Sequence, residues 1–143
     1  MSREDEFVQS LKDPQGENMK YFAIDLLEGK YDVGRLMQAA QRYEAIQQIG
    51  YVADVTRAAA LQKGMNVQGL IELVHACNTT IQGDAPWCHL SQDLPRWAQE
   101  LIAEGPQTEF NKTWRVYARL GPSDIADWID LYVLKPHAPS PRR

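Results

Sequence analysis

His75, Cys77, Cys88 and His89 bring both cysteines and two of the three histidines of this chain into one 15-residue stretch. Two thiolates and two imidazoles are an acceptable tetrahedral zinc set. Their spacing works against it. The His-x-Cys and Cys-His pairs lack the two-to-four-residue gaps that let neighbouring ligands converge on one ion. On a helix His75 and Cys77 would also lie about 200° apart. Cys77 is therefore expected as a small buried residue, His75 as a flanking one, and Cys88-His89 as part of an ordered loop. No metal and no cofactor are expected. The same residues allow a nucleophilic reading, with Cys88 as thiolate and His75 as base across the loop, which would make the chain a small Cys/His-dependent enzyme.

Trp87 stands inside Ala85-Pro86-Trp87-Cys88-His89, between stretches of helical periodicity. A tryptophan there can anchor a partner or fold back as a plug over the core. Lys112, Arg115 and Arg119 fall at i, i+3 and i+7 and would form one basic stripe on a helix. Asp124, Asp127 and Asp130 would edge the final helix. The stripe could receive an acidic partner, with arginine suited to bidentate contacts, or exchange weak ion pairs with the neighbouring acidic edge. The residues expected to touch a partner are Trp87, His89, Lys112, Arg115 and Arg119.

One short stretch resembles a known motif. Ala60-Leu61-Gln62-Lys63-Gly64-Met65, followed by Leu70 and Leu73, is similar to a helix-turn-helix over 57–76, with an alanine four residues before the turn glycine. That resemblance implies a DNA-binding regulator, acting as a dimer. Lys63 departs from the motif, since an apolar residue usually precedes that glycine. No Lys or Arg occurs between 64 and 78, so phosphate contacts would need cations from elsewhere.

The elements that must position these residues read as helices with glycine stops. Apolar periodicity ends at Gly29, Gly64, Gly83, Gly105 and Gly121. Phe7, Val8 and Leu11 mark a short helix over 4–12, broken by Asp13-Pro14-Gln15-Gly16. Met19, Phe22, Ala23, Leu26 and Leu27 mark the next. Asp32 is a candidate N-cap for one long element over 32–63, with Gly50 its only weak point. Asn66 would cap a helix over 66–78. Its broad apolar face, built on Val67, Leu70, Ile71, Leu73, Val74 and Cys77, predicts the most buried position and an antiparallel central pairing with 32–63. Residues 78–92 read as irregular. Ser91 or Asp93 then caps a helix carrying Leu94, Trp97, Ala98, Leu101 and Ile102, which Gly105-Pro106 closes. Residues 109–120 fit helix and strand equally. Ser123 caps a last helix that Pro136 stops, and 137–143 read as a flexible tail.

These elements predict an all-α fold, a single compact helical domain of six or seven helices over 1–136, with 113–120 open to minor β structure. The 143 residues can bury a core without disulfide or metal staples. A net charge of −4 argues against broad nucleic-acid or anionic-membrane binding. Two cysteines are too few for a secreted disulfide framework, and the acidic start Met1-Ser2-Arg3-Glu4-Asp5-Glu6 lacks a signal-peptide pattern. The expectation is a cytoplasmic, non-catalytic interaction or regulatory module. Another protein is its expected partner, a homo-oligomer is open to it, and no membrane is involved. DNA binding and Cys/His catalysis are the alternatives.

Overall fold

The computed structural model describes residues 3–11, 17–81, 85–90 and 94–134, with only the backbone described at 17–19. It is mostly helical, as expected, with one very small parallel sheet. The described residues form eight α-helices, one more than the upper expectation, because the long element over 32–63 is two helices.

The chain opens with α1 (Arg3–Ser10) and α2 (Glu17–Leu27). Glu4 and Asp5, buried although acidic, make tertiary contacts. The Glu4 carboxylate accepts the Asp32 N–H at 3.0 Å, and Asp5 pairs with Arg42 at 2.6 Å. Gly29 closes α2 in the left-handed conformation (φ 69°), and the Lys30 N–H reaches back to the Asp25 carbonyl at 3.0 Å. Asp32 caps α3 (Val33–Arg42) by accepting the Arg35 N–H at 2.8 Å.

The break in the expected long helix falls at Tyr43-Glu44-Ala45, ahead of α4 (Ile46–Gln62), and not at Gly50. Glu44 takes a left-handed φ of 54°, a place more often held by glycine or asparagine. Gly50 lies inside α4, where the missing side chain admits the Trp114 ring; a Cβ at this position would overlap it. That close approach, and no turn, is why glycine stands there.

Helix α4 is the centre of the fold. Eleven of its 17 residues are buried, and Ala53, Ala59 and Ala60 let neighbours come close on several sides. The expectation had given the central place to α5 (Gln68–Thr80), which packs extensively on α4 but leaves Ile71 exposed. Asn66 is not the N-cap of α5: Val67 holds that place without a side-chain hydrogen bond, and Asn66, one residue earlier, accepts the Gln68 N–H at 3.0 Å.

Beyond α5, β1 (Cys88–His89) precedes α6 (Arg96–Glu104), and α7 (Glu109–Trp114) leads through Arg115 to β2 (Val116–Tyr117). The ambiguous segment 109–120 thus contains both structures. Arg115, left-handed at φ 56°, turns one into the other. The two strands pair in parallel, Cys88 with Val116 and His89 with Tyr117. Helix α8 (Pro122–Trp128) continues as a π-helical stretch to Leu134. Its N-terminus is held by Asp124, whose carboxylate accepts the Gly121 N–H at 2.9 Å, so Ser123 is not the cap.

The core is locked by a polar contact at its middle. Trp114 is 1% exposed, and its indole N–H donates to Asp54 at 2.9 Å; Arg57 pairs with the other oxygen of that carboxylate at 2.7 Å. An indole buried this deeply needs an acceptor, and the ion pair keeps the buried carboxylate compensated. Among the described residues, α6 alone of the helices buries no side chain. The expected caps Ser91 and Asp93, the breaks at 13–16 and Gly83, the stop at Pro136 and the tail over 137–143 lie outside the described residues. No described helix is long and apolar enough to cross a membrane.

Candidate partner-binding surface

The interruption around Trp87 is built from two distant pieces of chain. Strand pairing joins them: the Cys88 N–H donates to the Arg115 carbonyl at 3.0 Å, and the Leu90 N–H to the Tyr117 carbonyl at 3.1 Å. Gln47, from the first turn of α4, donates to the Pro86 carbonyl at 2.9 Å and the Trp114 carbonyl at 3.0 Å. Arg115 spends its guanidinium inward, on the Ala85 carbonyl at 2.7 Å. Gln48 completes the set with a 3.5 Å contact to the His89 carbonyl. Loop carbonyls that no regular element would satisfy are thus met by side chains.

On this support the ring of Trp87 stacks on Tyr117, with centroids 4.6 Å apart and planes 26° apart. His89 lies against the same tyrosine at 5.0 Å and 40°. The His89 Nδ1 is buried without a hydrogen-bond partner, and burial lowers its pKa from the usual 6.5, so the imidazole is neutral at pH 7. The result is an uncharged aromatic platform. Trp87 remains 38% exposed upon it.

Beside the platform is a groove of about 530 Å³, lined by Gln41, Glu44, Gln47, Ile81 and Pro86 among others. Among the described residues, both left-handed non-glycine residues serve this region: Glu44 lines the groove, and Arg115 holds Ala85 in its wall. Each such conformation costs about 1–2 kcal/mol and persists only where surrounding contacts impose it.

Of the expected contact residues, Trp87 and His89 are brought together. Arg115 supports the loop through the Ala85 carbonyl. The basic stripe does not form, because α7 ends at Trp114 and Arg115 turns the chain. Lys112 is exposed near Glu109 (3.9 Å), while Arg119 lines a separate cavity of about 420 Å³ with Tyr51, Asn111 and Leu120. Asp130, from the acidic edge, pairs with Lys63 at 2.9 Å. Tyr117, Gln47 and Glu44 are parts of the surface that sequence reasoning missed. The strand alternation of 113–120 was the one available signal for Tyr117.

The cysteine-histidine cluster is dispersed. Cys77 is buried with its Sγ 3.6 Å from the Met37 sulfur, and burial pushes its pKa up to about 12. Cys88 faces the Arg115 carbonyl at 3.8 Å, and burial pushes it up to about 11. His75 lines a shallow groove with Asp54 and Arg57. Among the described residues no three His, Cys, Asp or Glu side chains gather as a metal ion would require. In the helix-turn-helix-like stretch, Lys63 is the residue tied to Asp130, and the exposed face of α5 carries Gln68, Glu72 and His75.

Comparison with known protein families, curated proteins and solved structures finds no match to this chain. The functional reading rests on the chemistry of the surface itself.

Proposed function

We propose that this chain is a non-catalytic protein-interaction module that binds another protein through the Trp87–Tyr117–His89 platform and the groove beside it. One observation carries the reading. Trp87 is held in a fixed stack yet keeps over a third of its surface open to solvent. A rigid, half-exposed tryptophan loses little conformational freedom on binding and offers a large apolar contact, the two properties of an interface anchor. The groove adds selectivity. Ile81 and Pro86 suit an apolar side chain, and the Glu44 carboxylate favours a neighbouring cation on the partner. A cytoplasmic setting accords with the two free cysteines, which an oxidising compartment would put at risk.

The test compares native-cell affinity capture by the wild-type chain, Trp87→Ala and Leu61→Ala, the last altering an exposed residue at the end of α4. The reading expects a protein retained by wild type and Leu61→Ala but lost with Trp87→Ala, a weakening of about 30-fold or more. The melting temperature of Trp87→Ala should stay within a few degrees of wild type. Unchanged capture, or a large fall in melting temperature, would make Trp87 a plug over the core and remove the proposal.

A further inference from the structure

Helix α6 carries its own unpartnered surface, independent of the Trp87 platform. Trp97 is 69% exposed and Leu101 51% exposed, one turn apart on the same face. Arg96, Glu100 and Glu104 are likewise exposed and run beside them at four-residue spacing. For a helix standing alone this charge order is unfavourable. The cation is at the N-terminal end and the acids toward the C-terminal end, the reverse of what the helix dipole prefers. Arg96 meets Glu100 at 3.0 Å in the weaker i, i+4 orientation, and both side chains lie largely in solvent.

We propose that α6 is a self-association element that pairs antiparallel with α6 of a second copy of this chain. Setting Trp97 against the second copy's Leu101 places the two apolar stripes face to face. At a rise of 1.5 Å per residue, Arg96 then stands about 3 Å along the axis from both the second copy's Glu100 and its Glu104. In an antiparallel pair the same flank of each helix meets its own counterpart, so the single cation of one copy is bracketed by the two acids of the other. The two-fold axis repeats this at the far end. The opposed helices also align their dipoles head to tail. A parallel pair offers none of these matches. The face is small beside the roughly 800 Å² that each partner contributes to a standard interface, so the dimer is weak and reversible, with Kd on the order of 0.1–1 mM.

Sedimentation velocity on the full chain, from about 10 µM to about 1 mM, tests the pairing. The wild type should shift toward dimer across this range, and Trp97→Asp and Leu101→Asp should stay monomeric with unchanged circular dichroism, since α6 buries no side chain. Arg96→Glu makes the flank wholly acidic and should abolish association. The triple inversion Arg96→Glu, Glu100→Arg, Glu104→Arg restores the complementarity and should restore the dimer. A wild type monomeric at 1 mM overturns the proposal, as does a dimer that survives Trp97→Asp. Association indifferent to Arg96→Glu, or not recovered by the triple inversion, overturns the antiparallel arrangement.

Discussion

Cys88 shows how one residue can look like chemistry in sequence and act as scaffolding in the fold. Its N–H bonds the Arg115 carbonyl, its Sγ faces that same carbonyl, and its neighbours Trp87 and His89 both lean on Tyr117. A nucleophilic cysteine needs a lowered pKa, from a cation, a helix N-terminus or an adjacent base. Burial moves Cys88 the other way, from 9.0 up to about 11. Two units of pKa cut the thiolate fraction at neutral pH about 100-fold. Iodoacetamide at pH 7.4 should therefore alkylate Cys88 in the folded protein about two orders of magnitude more slowly than in the urea-unfolded chain, with Cys77 slower still. Peptide mass spectrometry along a time course reads both sites. Rapid native alkylation of Cys88 would favour the Cys/His enzyme over the interaction module and weaken the case for a platform whose strand is passive.

At the scale of elements, α4 depends on a glycine whose role is decided 64 residues away in sequence, where Trp114 ends α7. The indole is fixed from one side by Asp54 and lies over Gly50 on the other. Gly50→Ala would raise local helix propensity, worth up to about 1 kcal/mol, yet it drives a methyl group into a buried ring that cannot retreat. The expected net effect is destabilisation by about 2–3 kcal/mol, read as a lower urea midpoint at unchanged slope. A stabilised Gly50→Ala would mean that Trp114 is free to move. The same contact explains what sequence could and could not reveal. The α2 stop at Gly29 and the α3 cap at Asp32 are local events, written in residues a few positions apart, and both are found where periodicity puts them. The α3–α4 break was illegible because Glu44 carries no turn signature; its left-handed backbone closes α3 through the Glu44 N–H to the Gln41 carbonyl and the Ala45 N–H to the Ala40 carbonyl, a place usually given to glycine. Gly50 misled for the converse reason, being a tertiary contact in the dress of a helix weakness. The Trp87 loop was visible as a lapse in rhythm, but its platform needed Tyr117, which only the pairing of two two-residue strands brings beneath it.

Across the whole molecule, stability is distributed unevenly. Helix α4 is surrounded, and most of its residues are shut from water. Helix α6 has no fully buried side chain, and the stripe of Leu94, Trp97, Ala98, Leu101 and Ile102, which reads in sequence like any core-facing helix, half-buries Ala98 and Ile102 but keeps Trp97 and Leu101 in solvent. Periodicity reports that a helix has an apolar face; it does not report what covers that face. A helix of nine residues with no fully buried side chain is marginal in water; the Gln107 amide lies 3.0–3.3 Å from the Ile102, Ala103 and Gly105 carbonyls and helps satisfy its C-terminal end. Local opening of α6 should cost only about 1–2 kcal/mol, whereas α4 should open with the whole domain, at about 5–15 kcal/mol. Hydrogen exchange in dilute protein should then label Arg96–Glu104 within seconds to minutes while Val52–Ala60 stays protected for hours. Raising the protein to near-millimolar concentration should slow α6 and leave α4 unchanged, because pairing covers only that helix. Protection of α6 equal to that of α4 in the dilute protein would mean that its apolar face is already covered within one chain, and a second copy would have nothing left to bind.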